Sequence, residues 1–369
     1  MDKKKILIVS RAFYPIIAPR SFRATELAKE FARQGHDVTV LTHKRNHNYS
    51  DFEKTHNLKI EDFVKGKWKE IKGNSIVSKA FRFILSYFFL YPNIQLTPLI
   101  KKALKNQPAC NLLISIAKPF EIHWGVALAR NKNIKLCEVW VADCGDPFIG
   151  KERKTIPPFY YKLIDKWFCK HPDFITVPIK EAIPAYHPEC RSKIRVIPQG
   201  FNFKISRDIN DINNKFPKFV YAGLLSLEKR NPTNFLNFLC TIKNTIFKFI
   251  VFTKNKDILE PYQSILKDKL EVKDFVPREE LLELLKKVDF AVNFENRNKA
   301  QSPSKLIDYA IVNKPILSVK TDSFNEIDEI HTIEFLNKDY KNQLVIENIE
   351  QYHIKNVTNS FLNLYNENS

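Results

Sequence analysis

Residues 302–317 read SPSKLIDYAIVNKPIL and combine a helix-start signal with a lysine and a carboxylate. Serine followed by proline is typical of the first positions of a helix. The next amides, those of Ser304, Lys305 and Leu306, have no partner inside such a helix and lie at its positive end. A helical period puts Asp308 on the same side as Ser304 and Lys305. The segment therefore predicts an anion site beside a carboxylate that suits a ribose diol, with an ordinary capped helix as the alternative.

The elements that would position this segment follow from a regular alternation of apolar runs and helical patterns. The run KILIVS (5–10) is typical of a buried strand, and residues 21–34 carry one apolar helical face. Similar strand-like runs occur at 36–42, 111–117, 135–143, 173–178 and 194–198, and again at 218–224, 247–253, 269–275, 288–294 and 315–319. Strands separated by helices predict parallel βαβ units. We therefore expect an α/β protein with two Rossmann-like, doubly wound parallel-sheet domains facing a cleft.

A polar stretch rich in Asn and Asp at 202–216 divides the two series of strands and is typical of a linker. The predicted domains are residues 1–200 and residues 201–350. Residues 351–369 would form a C-terminal helix that could return to the first domain. A length of 369 residues also favours two domains, because single cores rarely grow that large.

Positive charge is concentrated in the first predicted domain. The chain has 59 Lys and Arg against 41 Asp and Glu; residues 1–200 hold 35 against 18, and the remainder holds 24 against 23. A one-sided basic field predicts an anionic partner, which is nucleic acid, an anionic membrane surface or a phosphate-bearing acceptor. A generally lysine-rich composition is the alternative, but it does not explain the balanced second half.

The cysteine spacing and the apolar segments predict the cellular compartment and the relation of the protein to membranes. None of the six cysteines forms a C-x-x-C pair, so we expect reduced thiols in a cytosolic protein. The most apolar segment, residues 80–96, is too short and interrupted for a membrane span, and it contains the aromatic run AFRFILSYFFLY (80–91). Residues 54–105 carry 11 Lys and Arg against 3 Asp and Glu, which favours peripheral attachment to an anionic inner-membrane surface. A helix pair packed on the first sheet, with its lysines in solvent, is the alternative.

The segment SPSKLIDYAIVNKPIL resembles the "PSKLFEYMAAGKPVL" segment of family 4 of the GT-B glycosyltransferases. Four other stretches resemble segments of the same family in the same order. ADCGDPF resembles the family's "ADFRDPW", and IRVIPQGFN resembles its "I.VIPNGVD". FVYAGLLSLEKRNP resembles "ILYVGRLDPEKG", and DFVPREELLELLKKVDFAVNF resembles "GFVPREELPELLAAADVLV". The resemblance covers most of the chain. It implies a retaining transfer of sugar from a nucleotide diphosphate donor on the second domain to an acceptor bound mainly by the first.

The resemblance also implies roles for charged residues, since a diphosphate leaving group develops negative charge. Lys305 and the helix amides would stabilise that charge together with Lys229 and Arg230, which follow the strand that ends near Gly223. A solvated basic turn is the alternative for these two residues. Asp308 matches the carboxylate expected on the nucleotide ribose. Because no D-x-D occurs in the chain, we expect transfer without a metal or other cofactor.

Two departures from the family pattern concern the donor sugar. Leu224 stands where the family has a phosphate-binding arginine, and Arg230 could replace that group. Ala300 stands where the family has its first glutamate, and Glu295 and Asn296 are nearby polar residues that could face the sugar.

Arginines follow the first strand, in a loop without the glycines that many family members have there. Arg11, Arg20 and Arg23 could bind a phosphate of the donor or of a lipid-phosphate acceptor. A basic surface loop is the alternative. No G-x-G-x-x-G follows the strand, so a dinucleotide coenzyme is not expected.

Three further residues of the first domain are candidates for the acceptor side. His123 could hydrogen-bond a sugar hydroxyl, with a helix-surface histidine as the alternative. Asp146, after a predicted strand, could orient or deprotonate the acceptor hydroxyl, and Asp143 is the neighbouring alternative.

The function that we predict is glycosyl transfer to a lipid-linked (polyprenyl) or saccharide acceptor, in the synthesis of a capsule, O-antigen or exopolysaccharide. A non-catalytic GT-B relative that binds a nucleotide sugar is one alternative, and an epimerase on the same architecture is another. A basic nucleic-acid-binding protein is the alternative from a different class, although no nucleic-acid-binding module is recognisable in the sequence.

Overall fold

The chain forms two compact units in the computed structural model, which describes residues 2–130, 136–149, 156–204, 214–295, 305–321 and 323–368. Unit 1 comprises Met1–Asn202 and Gln351–Ser369, and unit 2 comprises Phe203–Glu350. Most of the stretch predicted as a linker lies outside the described residues.

Unit 1 is built on a seven-stranded parallel sheet in the order β3-β2-β1-β4-β5-β6-β7. Its strands are β1 (Lys5–Ser10), β2 (Asp37–Thr42), β3 (Lys59–Asp62), β4 (Cys110–Ile116), β5 (Cys137–Asp143), β6 (Phe174–Val177) and β7 (Ile194–Val196). Its helices are α1 (Pro19–Arg33), α2 (Ser50–His56), α3 (Ile76–Phe89), α4 (Leu96–Leu104), α5 (Glu121–Ala129), α6 (Tyr160–Cys169) and α12 (Ile354–Asn368).

Two apolar layers pack on the two faces of the unit 1 sheet, so its central strands are buried on both sides. One layer contains Leu27 and Phe31 of α1 with Phe361 of α12. The other contains residues of α4, α5 and α6, among them Trp124 and Phe168. The C-terminal helix thus belongs to unit 1, where Gln34 Nε2 also donates to Thr358 Oγ1 at 2.8 Å.

Unit 2 repeats the plan with a five-stranded parallel sheet in the order β10-β9-β8-β11-β12. Its strands are β8 (Lys218–Ala222), β9 (Lys248–Phe252), β10 (Leu270–Lys273), β11 (Phe290–Phe294) and β12 (Ile316–Val319). Its helices are α7 (Thr233–Thr241), α8 (Glu260–Leu266), α9 (Arg278–Leu285), α10 (Lys305–Ile311) and α11 (Glu326–Leu336). The prediction of two doubly wound parallel sheets is confirmed.

One expectation about the cysteines is wrong. Cys169, at the end of α6, forms a disulfide with Cys190, which lies in a short 3₁₀ helix 21 residues later. The remaining cysteines are free thiols: Cys110, Cys137, Cys144 and Cys240. The pair could not be read from sequence spacing, because the packing of the 3₁₀ segment against α6 brings the two sulfurs together.

No single helix in the described part of the chain is long and apolar enough to cross a membrane. The consecutive segments Ile76–Phe89 and Asn93–Leu104, bent by 51°, reach the required length and composition only together.

Candidate functional site

A buried lysine without a hydrogen-bond partner lies at the carboxyl edge of the unit 2 sheet. Lys305 is the first described residue of α10 and is 7% exposed. Its Nζ lies 3.7 Å from the centroid of the Tyr221 ring and finds no hydrogen-bond acceptor among the described residues. Burial, and then the nearby charge of Arg230, lowers the pKa of Lys305 well below its usual 10.5. A buried ammonium group in a protein requires hydrogen-bond acceptors or an opposite charge to compensate its loss of hydration.

The backbone directly after β8 packs closely against Tyr221 and Lys305. Gly223, directly after the strand, has a φ of +154°, which side-chain-bearing residues rarely adopt. A Cβ at Gly223 would lie 3.2 Å from Tyr221 Oη and 3.7 Å from Lys305 Cδ. The Tyr309 hydroxyl accepts from the amide of Ala222 at 3.0 Å, and this bond fixes α10 against β8.

Burial raises the pKa of Tyr221 to about 12, although Arg230 opposes the shift. The phenol therefore stays protonated at neutral pH, and its hydroxyl donates to the carbonyl of Leu224 at 3.0 Å. The neutral Tyr221 ring lies under Lys305 Nζ, and this geometry is that of a cation–π contact.

The predicted basic loop is a tight turn beside this lysine. The amide of Arg230 donates to the carbonyl of Ser226 at 2.9 Å, and the amide of Ser226 donates back at 3.3 Å. Lys229 is exposed, whereas Arg230 is half-buried and acts electrostatically on both Tyr221 and Lys305. The turn thus supplies a second cation at the predicted anion site.

The predicted ribose carboxylate is held by an arginine. Asp308 is 8% exposed, and its Oδ1 lies 2.7 Å from both Nε and Nη2 of Arg278, the first residue of α9. Burial raises the pKa of Asp308, while the charge of Arg278 opposes that shift. Both contacts use Oδ1, and the Asp308 side chain keeps 12% of its surface exposed. The sequence analysis did not select Arg278, although its position in FVPREE, directly after a helix-starting proline, was a usable signal.

The other predicted donor-side residues are described only in part. Leu306 is buried in the core of unit 2. Glu295 follows β11, and its Oε1 accepts from Ser318 Oγ at 3.0 Å. Ser304, Asn296 and Ala300 lie outside the described residues.

In unit 1, a buried aspartate contacts two of the three predicted arginines, whereas Arg11 Nη1 donates to Asn93 Oδ1 at 2.9 Å. Asp143, at the end of β5, receives Arg23 Nη2 at 2.9 Å, Arg23 Nε at 3.2 Å and Thr176 Oγ1 at 2.7 Å. Arg20 Nη1 lies 3.5 Å from the same carboxylate. Burial alone raises the pKa of Asp143, but the charges of Arg23 and Arg20 outweigh it and lower the pKa below 3.8.

Arg23 and Arg20 differ in what they can still bind. Arg23 is 2% exposed, and it also donates to the carbonyls of Pro198 and Ile197, so its guanidinium is used inside unit 1. We therefore leave Arg23 out of the candidate site. The Arg20 side chain is 26% exposed and lies over Gly145, where an added Cβ would be 1.3 Å from Arg20 Nη2. Gly145 is a position that the sequence analysis missed.

His123 lies in the core, neither at a ligand-facing position nor on a helix surface as the sequence analysis expected. It is fully enclosed, and its ring stacks on Phe168 at 5.3 Å between centroids. Nδ1 lies 2.7 Å from Ser115 Oγ, which also accepts from Trp140 Nε1 at 2.8 Å.

This network is compatible with either neutral tautomer of the imidazole. Ser115 Oγ accepts from Trp140 and can either donate to His123 Nδ1 or accept from it, while Nε2 lies 3.4 Å from Cys144 Sγ, which can take the complementary role. Burial lowers the pKa of His123 to about 3, so the ring is neutral. We leave His123 out of the candidate site, because it has no surface for a ligand.

Asp146 remains accessible. Its side chain is 41% exposed and lies 3.2 Å from Lys118 Nζ, at the start of the turn that leads into α5. Asp146 and Arg20 are thus the predicted acceptor-side residues with exposed polar atoms at the carboxyl edge of the unit 1 sheet.

Neither a protein-family model nor a curated protein sequence matches the chain. Solved structures do match. A glycosyltransferase from Rickettsia africae aligns over 100% of this chain and 99% of its own, with a TM-score of 0.65 and 12% identity. TarM from S. aureus, in a complex that contains UDP and alpha-GlcNAc-glycerol, aligns over 98% and 100% with a TM-score of 0.61 and 12% identity. The lipopolysaccharide outer core galactosyltransferase WaaB aligns over 98% of this chain and 99% of its own, with a TM-score of 0.60 and 12% identity. The chain therefore has the GT-B glycosyltransferase fold.

Proposed function

We propose that the protein is a glycosyltransferase that moves a sugar from a nucleotide diphosphate donor to a lipid-linked or saccharide acceptor. The observation that carries the proposal is the Lys305 ammonium, which is buried, lacks a hydrogen-bond acceptor among the described residues and lies beside Arg230. The carboxyl edge of a parallel sheet is where such folds bind ligands. A diphosphate there would satisfy the ammonium with oxygen acceptors.

The proposed donor pose follows from these groups. Lys305 and Arg230 contact the diphosphate, where Gly223 allows close backbone approach. Asp308 Oδ2 accepts from a ribose hydroxyl while Arg278 holds Oδ1. Glu295 lies at the next strand end and is the candidate for the donor sugar.

In the reaction, the bond between the anomeric carbon and the diphosphate oxygen breaks, and the electron pair leaves with the diphosphate. Lys305 and Arg230 stabilise the charge that develops on that oxygen, and Lys229 adds to the field. These cations do the electrostatic work that a metal ion does elsewhere, so we propose transfer without a metal. The acceptor hydroxyl forms the new bond, and Asp146 orients it or takes its proton, with Arg20 near an acceptor phosphate. We propose retention of configuration, as in the family that the sequence resembles.

The biological setting that we propose is the assembly of a surface polysaccharide, such as a capsule, O-antigen or exopolysaccharide. The support is the family resemblance of the motifs, with no residue that selects among these polymers.

The test is the melting temperature of the protein with UDP-, GDP-, ADP- and CMP-sugars. We expect one nucleotide to stabilise the wild type, and Lys305→Ala and Asp308→Ala to lose most of that shift. Lys314→Ala is the matched control, since Lys314 follows the opposite end of α10. If no nucleotide shifts the wild type, or if the Lys305 and Asp308 variants respond fully, the proposed donor site is wrong.

A further inference from the structure

Helix α3 exposes its apolar side chains to solvent. None of its residues is buried. The side that faces the protein is polar in part: Arg82 Nη1 donates to the carbonyls of Gly73 at 2.7 Å and Ile71 at 3.2 Å. The exposed apolar residues of α3 extend around much of the helix, with exposures from 45% to 86%: Ile76, Val77, Phe81, Phe83, Ile84, Phe88 and Phe89. So many large exposed apolar side chains on one helix indicate an interaction surface.

The residues at and before α6 extend the same surface. Ile156, Phe159 and Leu163 are 86%, 82% and 63% exposed. Tyr87 Oη of α3 donates to the carbonyl of Ile156 at 2.6 Å, and Tyr161 Oη donates to the carbonyl of Tyr87 at 2.6 Å. We call the exposed apolar residues of α3 together with these three the aromatic face.

Exposed lysines adjoin the aromatic face or lie on the same helices. Residues 71–120 contain seven Lys and Arg and no Asp or Glu. Lys72 and Lys79 are exposed next to or within α3, and Lys162 is exposed on α6. An apolar surface with a cationic border is complementary to a layer of apolar chains beneath anionic head groups.

We propose that the aromatic face docks on a bilayer surface rich in anionic phospholipid, with α3 lying in the interface. Helix α4 does not share this role, because Leu96, Ile100 and Leu104 are buried in the unit 1 core. A second copy of the chain fits the surface poorly, since it would bring like-charged borders together. Nucleic acid would leave the apolar side chains uncovered. The proposal goes beyond the transfer reaction and stands without it.

The test is flotation of the full chain with vesicles of phosphatidylcholine, with and without phosphatidylglycerol. We expect binding to the anionic vesicles and a loss of about tenfold or more in partition for Phe83→Ser/Phe88→Ser. Ile327→Ser/Ile330→Ser is the matched control, because these α11 residues are 60% and 58% exposed in unit 2. The control should bind like the wild type.

Charge is tested separately. Each of Lys72→Gln and Lys79→Gln should lower the partition about fivefold. Raising salt from about 0.1 M to about 1 M should weaken binding, because the screening length falls from about 10 Å to about 3 Å. An unchanged melting temperature would show that each variant is folded.

Three results would overturn the proposal. The first is that the wild type does not bind anionic vesicles. The second is that the folded Phe83→Ser/Phe88→Ser variant binds as well as the wild type. The third is that the wild type is a dimer and this variant is a monomer. The last result would assign the face to a second copy. Because the assay contains no sugar nucleotide, its failure would leave the proposed donor site untouched.

Discussion

Replacing Lys305 by methionine is expected to stabilise the ligand-free protein and to abolish its response to the donor nucleotide. The lysine is 7% exposed and has no hydrogen-bond acceptor among the described residues. Methionine keeps the length and flexibility of the side chain, so the core of unit 2 retains its packing. The change therefore removes the charge and little else.

The magnitude follows from two opposing contributions. A buried charge without a compensating partner costs about 3–5 kcal/mol. The ammonium also lies 3.7 Å from the Tyr221 ring centroid, and loss of that contact at a desolvated site costs about 2 kcal/mol. The net gain is the difference, about 1–3 kcal/mol. For a unit of this size, that corresponds to an increase of about 2–12 °C in Tm.

The gain should depend on pH with a defined sign. The pKa of Lys305 is lowered in the folded protein, whereas the unfolded chain keeps its proton up to about 10.5. Between those two pKa values the unfolded state binds more protons, so the wild type becomes more stable as pH rises. Methionine does not titrate, and the advantage of Lys305→Met should shrink as pH approaches 10.5.

Thermal melting of both proteins from pH 7 to pH 10, with and without the stabilising nucleotide sugar, measures all three effects. Lys314→Met, at the other end of α10, controls for the general loss of a lysine. A Tm several degrees below that of the wild type would refute the reasoning, because it would mean that the ammonium has a strong partner in the ligand-free protein.

Two further predictions concern the buried polar groups of unit 1. Asp143→Asn should lower the free energy of unfolding by about 3–5 kcal/mol, since it leaves the buried Arg23 guanidinium with a neutral partner, whereas the exposed Asp146→Asn should change it by less than about 0.5 kcal/mol. Urea unfolding measures both, and similar losses for the two variants would contradict the assignment. His123 has a folded pKa of about 3 against 6.5 unfolded, so the unfolded chain binds the extra proton below pH 6.5. Wild-type stability should then fall by about 1.4 kcal/mol per pH unit between those values, and His123→Gln should lack this contribution; parallel stability curves for the two proteins would show that the imidazole is protonated in the fold.

Most of the fold was predictable because the strands other than β3 are short apolar runs, each with its own local signal. The strand β3 (Lys59–Asp62, KIED) was not predicted, because it is mostly polar and has one buried residue. KILIVS forms β1 with the expected bounds, and the run at 218–224 contains β8. Features that depend on contacts between distant segments were not predictable. The Cys169–Cys190 disulfide needs the packing of a 3₁₀ helix on α6.

The candidate site was predictable to a similar extent. SPSKL pointed to Lys305, but not to the Tyr221 ring beneath it or to Arg278 on Asp308, which come from β8 and α9. His123 shows the opposite error. Its loop position suggested a ligand, whereas Ser115, Cys144 and Phe168 enclose it from β4, from the residue after β5 and from α6. A local pattern specifies which group a segment offers, and the tertiary fold decides whether that group faces protein or solvent.

The contrast between Arg23 and Lys305 shows how burial can be interpreted. Both side chains are cationic and more than nine-tenths buried. Arg23 meets a carboxylate and two carbonyl oxygens, so the fold itself accounts for its charge. Lys305 meets an aromatic ring and a second cation, so the described fold gives it no compensating acceptor. A chain under selection for stability alone would replace such a group with an apolar one, and this contrast supports our proposal that a ligand brings the missing oxygens to Lys305.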